Sequence, residues 1–358
     1  MTVNHRTLIT LVMIIAALGA ILMSDRLGIE QSFDSGEASV LLPGLDKELN
    51  DITSLTINTA GNRTAVILTR GAERWTVAER DDYPADIGKI RDNLISLAKA
   101  TIVEEKTTDP SLYARLGVED IANEEAAGIE LVIAGPNDPY RMIIGTTGVR
   151  GDHAYARKPG TAVSLLITAD LDLGTEPTDW LDRNILNIAS NDIFSVTTTH
   201  PDGKTVRIEK AGPDANSFDL IDQPTGSELT YPGITNSIGS VLTDLELDDV
   251  VVRADADLKS MPPILTRFET FDGLIVLVST YTSDDQSLAG FRFTHAAELK
   301  ARFSSTTDQD DSPLDTAATR ADELNTRLGD WLFVLPASKH DELTRRMSDL
   351  LSKPVTQP

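Results

Sequence analysis

The sequence predicts an α+β protein: an N-terminal transmembrane helix followed by two duplicated lobes, each an antiparallel sheet with a helix packed on one face. Three observations predict it. Thr7 to Ser24 (TLITLVMIIAALGAILMS) carries no charged side chain. Tyr83 to Val103 returns without a gap as Tyr231 to Val251, an offset of 148 that matches Ile90 with Ile238, Leu94 with Leu242 and Leu97 with Leu245. A strand pair ahead of that unit also recurs. Asp51-Ile-Thr-Ser-Leu55 is echoed by Asp192-Ile-Phe-Ser-Val196 at an offset of 141, Thr64 by Thr205 at the same offset, and Trp75 by Phe218 at 143. The offset is expected to grow only inside loops, as in a duplicated fold that has drifted.

At 358 residues the chain suits two domains of ordinary size, and 41% hydrophobic content is enough for packed cores. The expected division is a cytoplasmic stub and anchor over 1–24, a tether over 25–44, a first lobe over 45–187 and a second over 188–358. A net charge of −24 repels phosphate backbones and anionic head groups alike. Nucleic acid is therefore not an expected partner, and membrane attachment has to come from a hydrophobic segment. With no cysteine, disulfides, thiol catalysis and thiolate metal sites are excluded.

As a helix, Thr7 to Ser24 is about 27 Å long, enough to cross a bilayer core. His5 and Arg6 precede it, so the positive-inside rule keeps the N-terminus cytoplasmic and the bulk of the chain periplasmic, on a bacterial inner membrane crossed once. A cleaved signal peptide is the alternative, but the charged region is short and Leu18-Gly19-Ala20 is a poor cleavage site.

In chain order, Asp51 to Ile57 alternates as a strand, Gly61-Asn62 makes a turn, and Thr64 to Arg70 and Trp75 to Val77 are further strands. A helix is expected to open at Pro84, a residue suited to a first turn, with Ile87, Ile90, Leu94, Leu97 and Ala98 on its buried face. Pro110 to Glu119 reads as a short helical turn ended by Gly117. Gly128–Ala134 with Tyr140–Gly145, and Ala154–Lys158 with Val163–Thr168, read as hairpins, and 179–186 as a short amphipathic helix closing the lobe. Lobe two is expected to repeat the order: a hairpin over 192–210, a helix over 232–246, and strands over 264–271, 274–281, 289–294 and 331–335. Ser304 to Thr316 reads as a polar, mobile loop. Ser338 to Asp341 resembles a capping box before the last helix. Trp331 to Leu351 is a weaker third echo of Trp75 to Leu97.

Leu45 with Asn50-Asp-Ile52, Trp75, Tyr83-Pro-Ala-Asp86 with Lys89, Arg91 and Leu94, Val103-Glu with Lys106-Thr107, Pro110, Tyr113, Leu116-Gly-Val-Glu119 and Trp180-Leu-Asp182 together resemble the domain-of-unknown-function 4340 family. The resemblance covers about residues 45 to 190 well and the second lobe loosely. Its members are membrane-anchored bacterial proteins described beside gliding-motility-type ABC transporters. The resemblance, and nothing in composition or spacing, implies an envelope protein working with an ABC permease and ATPase. It implies no catalytic or ligand residue.

The residues themselves predict no catalytic, cofactor-binding or metal-binding site. His5, His153, His200, His295 and His340 show no HxH or HxxxH spacing. Asp308, Asp310 and Asp311 fall short of a calcium loop, since Pro313 and Thr319 stand where glycine and glutamate belong. Asp284-Asp285 reads as a turn, and Gly145 to Gly151 as a connecting loop without phosphate-binding spacing. Trp75, Trp180 and Trp331 read as core anchors rather than a carbohydrate platform. The expected function is a non-enzymatic, membrane-anchored binding and scaffold module, an accessory subunit of an ABC-2-type transport complex. The alternatives are an envelope glycan hydrolase with paired carboxylates between the lobes, and a purely structural spacer.

Overall fold

Alternation in the first hairpin decides which face of the first sheet is buried. In the computed structural model, which describes residues 39–148, 151–258, 261–282, 287–303 and 316–352, a short helix α1 (Leu45–Glu48) leads into β1 (Ser54–Thr59) and β2 (Arg63–Arg70). Leu55, Ile57, Val66 and Leu68 point into the core, while Thr64 and Thr69 stay exposed. β3 (Trp75–Val77) and β4 (Tyr83–Pro84) extend one side of the sheet. After α2 (Ile87–Lys99), β5 (Thr101–Thr107) and the small helix α3 (Tyr113–Leu116), the strands β6 (Ile129–Ala134), β7 (Tyr140–Thr147), β8 (His153–Arg157) and β9 (Ser164–Thr168) complete it. The strand order is β4-β3-β2-β1-β6-β7-β8-β9-β5, with antiparallel pairing throughout.

β10 (Asn184–Leu186) leads into the second large sheet. It holds β11 (Ile193–Thr199), β12 (Thr205–Glu209), β13 (Asp219–Ile221), β15 (Asp249–Val252), β16 (Ile264–Thr270), β17 (Leu274–Thr282), β18 (Ser287–His295) and β19 (Trp331–Val334). Between β13 and β15 lie α4 (Ile234–Gly239) and β14 (Leu245–Glu246). Between β18 and β19 lie α5 (Ala297–Phe303) and α6 (Thr316–Leu328), and α7 (Ala337–Leu343) and α8 (Met347–Leu350) follow. The order is β13-β12-β11-β16-β17-β18-β19-β15. When β1–β3 are matched with β11–β13 and β5–β9 with β15–β19, the two sheets run in the same order. Among the described residues only β4 then lacks a counterpart in the second sheet. The protein is thus α+β, with two large antiparallel sheets.

The matched positions share burial. Ile90 and Ile238, Leu94 and Leu242, and Leu97 and Leu245 are buried in both halves. The first hairpins differ by one residue. β1 and β2 slip register between Ile57 and Asn58, whereas β11 and β12 pair evenly. The offset therefore falls from 141 at Thr64 and Thr205 to 140 at buried Val66 and Val206. It changes within a strand, at a bulge, and not only in loops as the sequence suggested.

Other expectations are corrected. Pro84 does not open the helix: it pairs with Thr76 in β4. α2 begins after Asp86, whose carboxylate accepts from the Lys89 amide at 3.0 Å. Ile87, at the first helical position, is 58% exposed. The helix expected over 232–246 ends at Gly239. A Cβ there would lie 2.1 Å from the Phe218 ring, Ser240 follows, and Asp244 takes a positive φ of 44°, so the chain turns into β14 instead. Residues 179–186 form a 3₁₀ turn (Pro177–Trp180) and then β10 rather than a helix, because the backbone of β10 pairs with β14. α7 starts behind Pro336 without a side-chain cap, so the Ser338 capping box is absent. The third echo also fails. β19 holds the place in its sheet that β9 holds in the first, not that of β3. Helix α6 is an unexpected element: its buried stripe is only Ala317, Ala321 and Leu328, too weak a pattern to declare a helix.

The expected transmembrane segment lies outside the described residues, as do the acidic stretch 304–315 and Asp284-Asp285. Among the described residues, no helix is long and apolar enough to cross a membrane. The end of the expected tether lies on the first lobe: Leu41 and Leu42 are buried, and the Leu41 amide donates to the Ala100 carbonyl at 2.9 Å.

Candidate functional site

The seam between the two sheets is built by a few residues of β3, β4 and the segment after Trp180. Asp86 and Asp182 amides donate to the Trp180 and Pro84 carbonyls at 2.8 and 2.9 Å, which lays residues 181–182 along β4. β10 then pairs with β14, so the second lobe is fastened through backbone. Two side-chain contacts reinforce it. Arg80 makes a bidentate pair with Asp249 of β15, 2.6 Å from Nε and 3.0 Å from a terminal nitrogen. Tyr83 stands edge-on to Trp331 at 5.0 Å between ring centroids and to Phe333 at 6.3 Å. Its repeat counterpart Tyr231 is 46% exposed while Tyr83 is 4% exposed. The same position serves the seam in one half and solvent in the other.

Beside this seam lies a cavity of about 390 Å³, lined by Arg70, Glu73, Arg74, Trp75, Tyr83 and Ile87 of the first lobe, by Asp182 and Asn184 of the connection, and by Arg327 and Leu328 of α6. A second cavity of about 320 Å³ adjoins it, sharing Arg70, Trp75 and Ile87 and running along α2 past Ile90 and Leu94. Burial pushes the Tyr83 phenol far above its usual range. The charge of Asp182 adds to this, while Arg327 and Arg74 oppose it. Among the described residues the Tyr83 hydroxyl has no hydrogen-bond partner. Arg70 donates to the Asn50 carbonyl, Arg327 donates to the Ile185 carbonyl at 2.6 Å, and Arg74 makes no side-chain bond among the described residues. None of the three is paired with a carboxylate there. The site can therefore hold negative charge.

The residues weighed in the sequence are scattered. His153 contacts its neighbour Asp152 at 2.7 Å. His200 is buried, with Nε2 3.2 Å from the Arg345 carbonyl and Nδ1 unpartnered. His340 lies 3.3 Å from the Thr282 hydroxyl, and His295 ends β18. Among the described residues no three His, Asp or Glu side chains are grouped to hold a metal ion. Trp180 is fully buried, donating to the Gly174 carbonyl at 2.9 Å beneath the Lys89 ammonium. Trp75 and Trp331 divide between cavity wall and seam. Gly145, expected to open a connecting loop, lies within β7, and a Cβ on it would lie 2.1 Å from the Leu116 carbonyl, so close backbone approach explains this glycine.

Two buried cations were not foreseen. Arg157 donates to the Val118 and Thr161 carbonyls and to Asp120 at 2.6, 2.9 and 2.7 Å, with Tyr113 stacked 4.7 Å away. It ties together the Tyr113 to Glu119 stretch of the family pattern. Lys210 donates to the Ser190 carbonyl at 2.9 Å, and burial lowers its pKa against the opposing charge of Asp192. The cavity arginines were missed because Arg70 ends a strand, Arg74 sits in the unremarked turn after it, and Arg327 stands 253 residues beyond Arg74 in the chain.

A family model described as "Domain of unknown function (DUF4340)" matches residues 75–262, just over half of the chain. The match starts at β3 and ends before β16, so it begins later than the 45–190 span of the resemblance and reaches further into the second lobe. No curated protein and no solved structure matches.

Proposed function

The chain belongs to the DUF4340 domain-of-unknown-function family, and on that premise we propose that it is a non-enzymatic, membrane-anchored envelope module that binds and scaffolds. In this reading Thr7 to Ser24 spans the inner membrane once, and the two lobes are a duplicated unit held on the periplasmic side. They serve as an accessory subunit of an ABC-2-type transport complex of the gliding-motility kind, a permease with its ATPase: the anchor packs against the permease, and the lobes dock the transported substrate or an envelope partner.

The observation that carries the reading is the seam. Two sheets of the same strand order are joined by a backbone ladder, a bidentate ion pair and an aromatic wedge, with a ligand-sized cavity left beside them. Joining of this kind suits a part that presents a fixed surface to a larger assembly. The same strand order supports descent of both lobes from one ancestor. A glycan hydrolase finds less support. The cavity carboxylates Glu73 and Asp182 are both exposed, and Asp182 accepts from the Asn184 amide at 3.2 Å, whereas a general acid needs an apolar setting that keeps its proton.

The test is extraction of the tagged full chain in mild detergent and identification of the chains that accompany it. A multi-span permease and an ATPase are expected. Recovery of the chain by itself contradicts the transport-complex assignment.

A further inference from the structure

We infer that the inter-lobe cavity is a binding site for a small organic anion: a carboxylate or phosphate carried on an apolar body. This goes beyond the scaffold reading and does not depend on the transport complex.

The argument starts from charge. The chain carries −24 overall, yet this cavity gathers Arg70, Arg74 and Arg327 against Glu73 and Asp182. The arginines come from two lobes and are positioned without being neutralised. Arg70 and Arg327 are each held by a backbone carbonyl, of Asn50 and Ile185. A carbonyl fixes one N–H of a guanidinium and leaves its charge and other donors free. A planar fork set in this way matches a carboxylate or phosphate. Arg74 has no side-chain partner among the described residues.

The Tyr83 hydroxyl is a further donor left open. The residue is buried, its hydroxyl has no partner among the described residues, and its pKa is shaped by Arg327, Arg74 and Asp182, which all line the cavity. A buried phenol usually finds a partner, and an anion beside the arginines would supply one.

The wall on the other side is apolar. Beside Arg70, Trp75 and Ile87 line both this cavity and the one along α2, which Ile90 and Leu94 also line. Ile87 opens the helix yet is 58% exposed. A ligand with its charged group among the arginines has its body directed over Trp75 and Ile87, where burial adds affinity.

The test is calorimetric titration of the full chain, held in nanodiscs of neutral phosphatidylcholine, with hexyl phosphate, heptanoate, inorganic phosphate and the uncharged hexyl glucoside. Hexyl phosphate or heptanoate is expected to bind, and the tighter of the two identifies the head group. Inorganic phosphate should bind at least about 10-fold more weakly, given the apolar area it cannot bury, and hexyl glucoside should not bind. Arg74→Glu should weaken the preferred anion by at least about 10-fold through loss of a charge-assisted contact. Ile87→Gln should weaken the same anion roughly 5-fold and leave inorganic phosphate unchanged. Both positions are exposed, and an unfolding midpoint equal to wild type verifies each fold. No binding of either organic anion, equal binding of hexyl glucoside, inorganic phosphate binding as tightly as the organic anions, or an unchanged affinity in Arg74→Glu overturns the assignment.

Discussion

Replacing Tyr83 by alanine should uncouple the two lobes. The ring is 4% exposed and meets Trp331 and Phe333 of the second sheet at 5.0 and 6.3 Å. Removing a large buried aromatic costs about 3–5 kcal/mol, and its two edge-on contacts account for about 1–2 kcal/mol of that. The neighbouring cavity lets water reach the space, so the low end applies, about 3 kcal/mol. That is a large part of a typical domain stability of about 5–15 kcal/mol. Tyr83→Phe is the control. The hydroxyl has no partner among the described residues, so its removal should change stability by no more than about 0.5 kcal/mol. Urea unfolding followed by far-UV circular dichroism and tryptophan fluorescence reads both variants, because Trp331 adjoins the substituted ring. Wild type and Tyr83→Phe should show one transition at nearly the same midpoint, and Tyr83→Ala an earlier and broadened or split one. A Tyr83→Ala loss below about 1 kcal/mol, or equal losses in both variants, would refute the wedge.

Arg157→Met leaves the Val118 and Thr161 carbonyls without their buried donor and should cost about 2–4 kcal/mol by chemical denaturation. A cost under 1 kcal/mol would show that the local chain relaxes to solvate them. Asp86→Ala removes the N-cap bond to the Lys89 amide and should cost about 1 kcal/mol, with Asp86→Asn recovering most of it. For Glu269, burial works against ionisation. The hydrogen bonds from Ser195 and Arg267 outweigh it and hold the carboxyl below its ordinary value. The folded state therefore releases this proton more readily than the unfolded state. The stabilisation is complete above the unfolded value of about 4.3 and is lost as pH falls through the folded one. Glu269→Gln should flatten the acid limb of a stability–pH curve, and an unaltered limb would contradict the reading.

Much of this architecture was legible because repetition and alternation are local signals. Leu55 and Ile57, or Ile90 and Leu94, declare their burial by spacing alone, and the hairpins at 129–147 and 153–168 are marked by the turn residues Gly135-Pro136 and Pro159-Gly160. The errors fell where a distant partner overrode a local preference. Residues 184–186 look helical but extend because they pair with 245–246 in the other half. Pro84 looks like a helix opener but is taken by the edge strand. Gly239 ends its helix under Phe218, a contact that helical periodicity does not encode. The cavity was illegible for a similar reason. Its arginines are held by the carbonyls of Asn50 and Ile185, and backbone partners leave no mark in composition or motif.

The proposed function rests first on where the lobes sit. Protease added to intact spheroplasts tests that placement directly. The account predicts digestion of the lobes without lysis, leaving a short membrane-embedded fragment that contains Thr7 to Ser24. Full protection until the inner membrane is broken, or recovery of the whole chain in the soluble fraction, would contradict it.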